Sequence, residues 1–339
     1  MNTTTQTEIH LANRPSGMPS DNDFDFVKRA IPTPNDKEVL VRTLYLSVDP
    51  YMRGRMQDAK SYIAPFKLHE AIVGGTIAQV VQSNSSQFKK GDIVIGNLKW
   101  AEYSVASEKE IRVIDPSAAP ITTHLGILGL TGLTAYFGLL DIGKPQKGEV
   151  VVVSGAAGAV GSAVGQIAKI KGAYVVGIAG SDEKIRYLKE ELGFDEAVNY
   201  KSAHLQEELA KACPNGVDVY FDNVGGEVTD AVFTLLNRNA RIPLCGAISS
   251  YNAEGKDLGP RLQSAMIKTS SLMKGFTLGD YSSQFKEGSA QLIQWFQEGK
   301  LKYEETIVEG FEKTPEAFLG LFKGNNLGKQ LVKVADPEN

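Results

Sequence analysis

A chain of 339 residues is longer than one hydrophobic core usually fills, and 42% apolar with 22% charged residues describes an ordinary globular protein, so two domains are expected. A formal net charge of −4, with no block of lysine and arginine, gives no electrostatic ground for nucleic-acid binding. Cys213 and Cys245 alone build neither a disulfide framework nor a cysteine-rich zinc lobe, and the polar stretch Met1 to Arg14 lacks the apolar core of a secretory signal; a cytoplasmic protein is expected.

From Glu38 to about Ile114, short apolar runs alternate with turn residues: Val39 to Leu46, Ile72 to Val81, Ile93 to Ile95 and Ala101 to Val105. Strands at this spacing predict a compact β-barrel or sandwich. Between the first two lies Ser47 to Met56, too mixed in chemistry for a core strand and suited to a binding loop. Ile121 to Leu140 is uncharged and long enough to raise the question of a membrane helix, yet its four threonines, four glycines and His124 read as buried helix and turn. No membrane association is expected.

Val150 to Val153 is a β-branched run that leads straight into Ser154-Gly155-Ala156-Ala157-Gly158-Ala159-Val160-Gly161. Behind it Val160, Val164, Ile167 and Ala168 share one helical face, and Ala173 to Ile178 completes a β-α-β unit. A pyrophosphate sits on the free N–H groups at such a helix start, and glycine at Gly155, Gly158 and Gly161 keeps side chains out of its way. The second strand ends Ala179-Gly180-Ser181 with no carboxylate to hold an adenosine ribose, while Ser181 and Lys184 suit a 2′-phosphate. The expected cofactor is NADP rather than NAD. Ser181 serves equally as an N-cap, with Lys184 a solvated charge, and the two readings are compatible.

Strands and helices continue to alternate through Glu183 to Leu192, Val217 to Phe221, Val228 to Leu236 and Ala240 to Leu244, which predicts a parallel sheet covered on both faces. Two strand exits, Asp222 to Gly226 and Cys245-Gly246-Ala247-Ile248-Ser249-Ser250-Tyr251-Asn252, would put backbone and small polar groups beside the cofactor, although turn geometry alone also explains Asn223. Beyond Glu298, Thr306 to Val308 and Gln330 to Val334 flank a helix at Pro315 to Phe322 and are expected to rejoin the first domain.

The segments LSVDPYMRGRM (Leu46 to Met56), LTAYFGL (Leu133 to Leu139), GAAGAVGSAVGQIAKIKG (Gly155 to Gly172), GIAGSDEK (Gly177 to Lys184), LGFDEAVNYK (Leu192 to Lys201), FDNVGG (Phe221 to Gly226), CGAISSYN (Cys245 to Asn252) and NLGK (Asn326 to Lys329) together resemble the zinc-independent medium-chain dehydrogenase/reductases. They are most similar to the branch of prostaglandin reductase, leukotriene B4 dehydrogenase and plant alkenal double-bond reductase. The resemblance implies an α/β chain with a GroES-like β-barrel catalytic domain over 1–124, a Rossmann doubly wound parallel sheet binding NADPH over 125–297, and a 298–339 segment returning to the first. It also implies a homodimer and an active site in the interdomain cleft. Gly158, Ala159, Val160 and Gly161 would hold the pyrophosphate, and Lys184 and Tyr200 the 2′-phosphate. Asn223, Cys245 to Tyr251, Phe276-Thr277-Leu278 and Asn326 would line the remaining cofactor path; Tyr200, Phe276 to Leu278 and Asn326 rest on the resemblance alone.

No metal is expected: both cysteines lie in the nucleotide-binding half, and His69-Glu70 stands out of register with a zinc signature, so His69 reads as a solvated loop residue. The implied reaction adds hydride to the β-carbon of an enal or enone and protonates the α-carbon of the resulting enolate. Tyr251 is the first candidate for proton delivery or carbonyl polarisation and Tyr51 the second, each equally suited to be an aromatic pocket wall. Two rivals remain, an NADPH-dependent quinone reductase and a non-catalytic NADPH-binding redox sensor.

Overall fold

The computed structural model describes residues 4–338; the first three residues of the expected 1–124 segment and the last of 298–339 lie outside that range. In chain order the elements are β1 (Thr5–Leu11), β2 (Phe24–Ala30), β3 (Glu38–Ser47), a single helical turn α1 (Met52–Arg55), β4 (Val73–Ser83), β5 (Ile93–Lys99), β6 (Tyr103–Ser107) and β7 (Ile111–Val113). A 3-10 turn, α2 (Leu130–Phe137) and a π-helical turn lead to β8 (Val150–Ser154), α3 (Ala159–Ile170), β9 (Tyr174–Ala179), α4 (Asp182–Arg186) and β10 (Glu196–Asn199). Then come α5 (Leu205–Ala212), β11 (Val217–Phe221), α6 (Gly226–Phe233), β12 (Leu236–Leu244), α7 (Gln263–Thr269) and β13 (Leu272–Gly275). The chain closes with α8 (Phe285–Gln297), β14 (Glu305–Glu309), α9 (Thr314–Lys323) and β15 (Lys329–Lys333). Among the described residues two compact units form, one from within Met1–Leu125, Glu305–Asn326 and Gln330–Asn339, the other from Gly126–Glu304 with Leu327–Lys329.

The first unit is built on a sheet in the order β14-β15-β3-β4-β5-β7, antiparallel from β15 to β7, with β6 also paired antiparallel to β3. Val39, Val41, Ala78, Val80 and Val94 bury their side chains on one another, as period-2 strands with one apolar face must. Register shifts at Leu40/Val41 and Thr43/Tyr45 add the local twist that bends such a sheet. Beside it, Phe24, Trp100 and Phe318 pack with ring centroids 6.2–6.4 Å apart. The β1-β2 hairpin was not expected from sequence, because polar and apolar residues of β1 are buried alike, Ile9 and Leu11 joining Phe24 in the core. Gln6, Glu8 and His10 are all buried, and each has a partner: Gln6 accepts from the Tyr103 N–H, while the His10 ring bonds Glu8 at 2.8 Å and the His69 carbonyl at 2.9 Å. His69 itself is exposed.

The second unit holds a wholly parallel six-stranded sheet in the order β10-β9-β8-β11-β12-β13. Every residue of β8 is buried, as expected of a central strand covered on both faces. The order of connection reverses between β8 and β11, and in a doubly wound sheet that reversal opens a crevice at the carboxyl ends of the strands. Sequence reading carried the helix before β12 to Leu236 and began the strand at Ala240. In the structure α6 stops at Phe233 and β12 starts at Leu236, its polar Asn237-Arg238-Asn239 stretch disguising a strand whose register on β11 shifts. No described helix is long and apolar enough to cross a membrane.

A nucleotide crevice and two tyrosines

The exit of β8 is a tight glycine turn. Gly155 has a φ of +59°, Gly158 is the N-cap of α3, and Ala159, Val160 and Gly161 form that helix's first turn, with no side chain capping it. A Cβ on Gly161 would lie 2.3 Å from the Gly155 carbonyl oxygen, so only glycine lets the helix start this close to the strand end. From the far end of the chain Gly328 pairs with Gly158 and donates its N–H to the Ala157 carbonyl at 2.8 Å, bracing the turn. Asn326 precedes that segment by one residue and belongs by its contacts to the first unit.

At the next strand exit, Ser181 caps α4 by accepting from the Lys184 N–H at 3.3 Å. Lys184 is half-buried, and its pKa is lowered first by burial and then by the Lys201 ammonium. Tyr200 follows β10 and lays its ring against Gly180, where a Cβ would come within 2.7 Å of the ring. Lys201 stands 5.9 Å from that ring's centre. Sequence reading named Ser181, Lys184 and Tyr200 but not Lys201. Two cations drawn together in the absence of a carboxylate on the β9 tip suit a doubly charged anion.

The exits of β11 and β12 are stitched together by one residue that sequence reading passed over. Asp222 is buried, and its Oδ1 accepts from the Ser154 hydroxyl at 3.0 Å, the Tyr220 hydroxyl at 2.9 Å and the Val224 and Gly225 N–H groups at 2.9 Å. Its Oδ2 accepts from the Thr229 hydroxyl at 2.6 Å. The Asp222 carbonyl accepts from the N–H groups of Cys245 and Gly246, at 2.8 and 3.2 Å. Asn223, anchored by its amide to the Ser154 carbonyl at 2.8 Å, and the Cys245–Tyr251 segment are thereby fixed on one edge. Ile248 and Ser249 add bonds to the carbonyls of Asn223 and Val224. An acidic residue ending an apolar strand is the sequence signal for such a hub, since a buried carboxylate needs several donors.

Within that edge Tyr251 is half-buried and folds back so that its hydroxyl oxygen accepts the Ala247 N–H at 3.3 Å. Burial raises its phenol above the ordinary value. Burial and then the Asp222 carboxylate push the Cys245 thiol up to about 12, leaving it neutral and unsuited to nucleophilic work. Phe276 packs on Phe221, centroids 6.3 Å apart, and against Gly138; Thr277 is the N-cap of the 3-10 turn Leu278–Gln284.

In the first unit Tyr51 is the N-cap of α1. The loop carrying it is tied down by Arg53, 3% exposed, whose guanidinium donates to the Pro15 and Gly17 carbonyls at 3.2 and 2.8 Å. Ser47 donates to Asp49 on the same loop. Among the described residues no group of three or more His, Cys, Asp or Glu side chains is placed to hold a metal ion.

Residues 7–114 match a family model described as the N-terminal domain of oxidoreductase, and 159–295 one described as zinc-binding dehydrogenase. Over 338 residues, 99% of each chain, the sequence is 66% identical to YfmJ of Bacillus subtilis (strain 168), by its name a provisional NADP-dependent oxidoreductase. It is 45% identical to the NADPH-dependent curcumin reductase of Escherichia coli (strain K12), covering 96% of each chain, and 40% identical to the NADP(+)-dependent 2-alkenal reductase of Nicotiana tabacum, covering 97% of each. The crystal structure of CurA from Vibrio vulnificus in complex with NADPH superposes with a TM-score of 0.93 at 46% identity, covering 98% of this chain and 100% of that one.

Proposed function

Because this chain belongs to the zinc-independent medium-chain dehydrogenase/reductases, in the branch of the 2-alkenal and prostaglandin reductases, we propose that it reduces the C=C bond of α,β-unsaturated aldehydes and ketones with NADPH. The observation that carries this reading is the pairing of an α3 start free of side-chain caps with a Lys184–Lys201 cluster at a strand tip that holds no carboxylate. The residues present fit the cofactor. Gly155 and Gly158 to Gly161 take the pyrophosphate on backbone N–H groups, and Ser181, Lys184 and Tyr200 take the 2′-phosphate. Asn223, Cys245 to Tyr251, Phe276 to Leu278 and Asn326 line the rest. NADPH, when bound, supplies the hydride. Tyr251 and Tyr51 would donate to the substrate carbonyl or to the α-carbon; burial first raises each phenol above its ordinary value, which keeps it protonated.

On this reading 1–124 with 298–339 is the catalytic part and 125–297 the NADPH-binding part. The protein works as a homodimer in the cytoplasm on small molecules, with neither nucleic acid nor membrane as partner. Support for the dimer comes from the edge strand β13 and the helix before it: α7 has no buried residue, and Ile267 and Leu272 are 78% and 51% exposed.

The test is NADPH oxidation on a panel of a 2-alkenal, an aryl enone, a quinone and a saturated ketone. Turnover on the alkenal and enone is expected. Turnover on the quinone alone would replace this reading with quinone reduction, and stoichiometric NADPH binding with no turnover on any of them would make the chain a binding module.

A further inference from the structure

The peptide joining Ala157 to Gly158 has both of its polar groups engaged. Its N–H donates to the Gly155 carbonyl at 3.0 Å, and its carbonyl accepts the Gly328 N–H at 2.8 Å. Bonds at opposite edges of a rigid plane fix its orientation. The Gly158 carbonyl accepts the Ser162 N–H at 3.0 Å, which leaves the N–H groups of Ala159, Val160 and Gly161, the first turn of α3, to meet an anion. A carbonyl oxygen beside an anion site carries the wrong sign of charge, and the Ala157 oxygen is turned onto a donor instead.

The strap that brings this donor is itself held. Residues 327–329 group with the second unit, although 305–326 and 330–339 belong to the first. The Lys329 N–H donates to the Glu304 carbonyl at 2.9 Å. Gly328 has a φ of +66°, and a Cβ there would come within 1.9 Å of the same carbonyl oxygen, so only glycine lets the two segments close. Two residues before Glu304, Lys302 is clasped by the buried Gln166 of α3 much as a neighbouring strand would clasp it. Gln166 Oε1 accepts the Lys302 N–H at 2.7 Å, and its Nε2 donates to the Lys302 carbonyl at 3.0 Å and the Ser162 carbonyl at 3.1 Å. Helix α3 thus holds 302–304, Glu304 holds 328–329, and Gly328 holds the turn from which α3 starts.

We infer that Gly328 and Gln166 are positioning residues for the pyrophosphate of the dinucleotide: through the strap they lock the Ala157–Gly158 peptide in the orientation that leaves the first N–H groups of α3 free for phosphate. This rests on the reading of the chain as an NADPH-dependent reductase. The role is one of pre-organisation, since a turn already ordered by residues from the far end of the chain need not be ordered by the cofactor as it binds.

The rival is a strap that serves the fold alone. Full-length chain with NADPH and with adenosine 2′-monophosphate separates the two, because the second ligand carries the 2′-phosphate but no pyrophosphate. Gly328→Ala forces the strap off the Glu304 carbonyl, and Gln166→Met keeps a side chain of similar length while dropping its bonds to Lys302 and Ser162. Loss of a hydrogen bond of ordinary strength predicts NADPH binding weaker by about threefold to tenfold in each variant, read by fluorescence titration, with adenosine 2′-monophosphate binding unchanged by calorimetry. In the double variant the two losses do not add, since both act on one strap. Equal weakening of both ligands, or no weakening of NADPH, overturns the inference. If a variant fails to fold, hydrogen exchange in the wild-type chain carries the same comparison. A cofactor that gains from the strap must stabilise it in return, so saturating NADPH slows exchange of the Gly328 and Lys329 amides and adenosine 2′-monophosphate does not. Exchange untouched by NADPH overturns the inference equally. A wild-type chain that binds neither ligand would instead sink the cofactor reading.

Discussion

The Lys201 ammonium helps to lower the Lys184 pKa, a repulsion that an anion bound at this strand exit would relieve. Removing one partner of a charged hydrogen bond costs about 1.5–3 kcal/mol, or roughly tenfold to a hundredfold in affinity. Lys184→Ala is therefore expected to weaken NADPH binding by that factor and leave NADH nearly unchanged, as titration of both nucleotides by fluorescence would measure. Equal losses for the two would remove the 2′-phosphate assignment. Lys184 was legible in the sequence, because it follows a strand tip whose missing acid is a local feature. Lys201 was not. It comes near only because β10 pairs in parallel with β9, Asn199 opposite Ala179, and no local pattern reveals a register between strands.

Among the elements, the strands that run apolar and β-branched were readable because burial on both faces leaves no other solution. The β1-β2 hairpin hid behind buried Glu8 and His10, whose cost is offset by their bond to each other and by the bond of His10 to the His69 carbonyl, distant in sequence. The β11 exit combines both lessons. Its glycines and asparagine announced a turn, while Asp222, which holds that turn to Ser154, Tyr220 and Thr229, looked like one more polar loop residue. Asp222→Ala strands three hydroxyls and two N–H groups in a buried site, which predicts a loss of about 3 kcal/mol or more in urea unfolding of this unit. A loss below about 1 kcal/mol would mean that water takes over the carboxylate's bonds.

At the scale of the whole molecule, family membership and a doubly wound parallel sheet were written in the sequence through motifs that recur in order along the chain; the order of the strands was not. The face on which the implied homodimer would meet was not read either, since an edge strand reads like any other until its neighbour is known to be absent. Leu272→Glu combined with Ile267→Lys places charge on β13 and α7, and light scattering is expected to move from twice the chain mass to one. Retention of the larger mass would place the interface elsewhere. The bridge from Gly328 to the glycine turn also has a consequence in time. On the ribosome β8, the glycines and α3 emerge well ahead of the segment that braces their turn, which follows β14 and α9. Nascent chains would thus carry the parallel sheet well before its glycine turn is braced, and a chain released before Gly328 would keep the sheet and lose the brace.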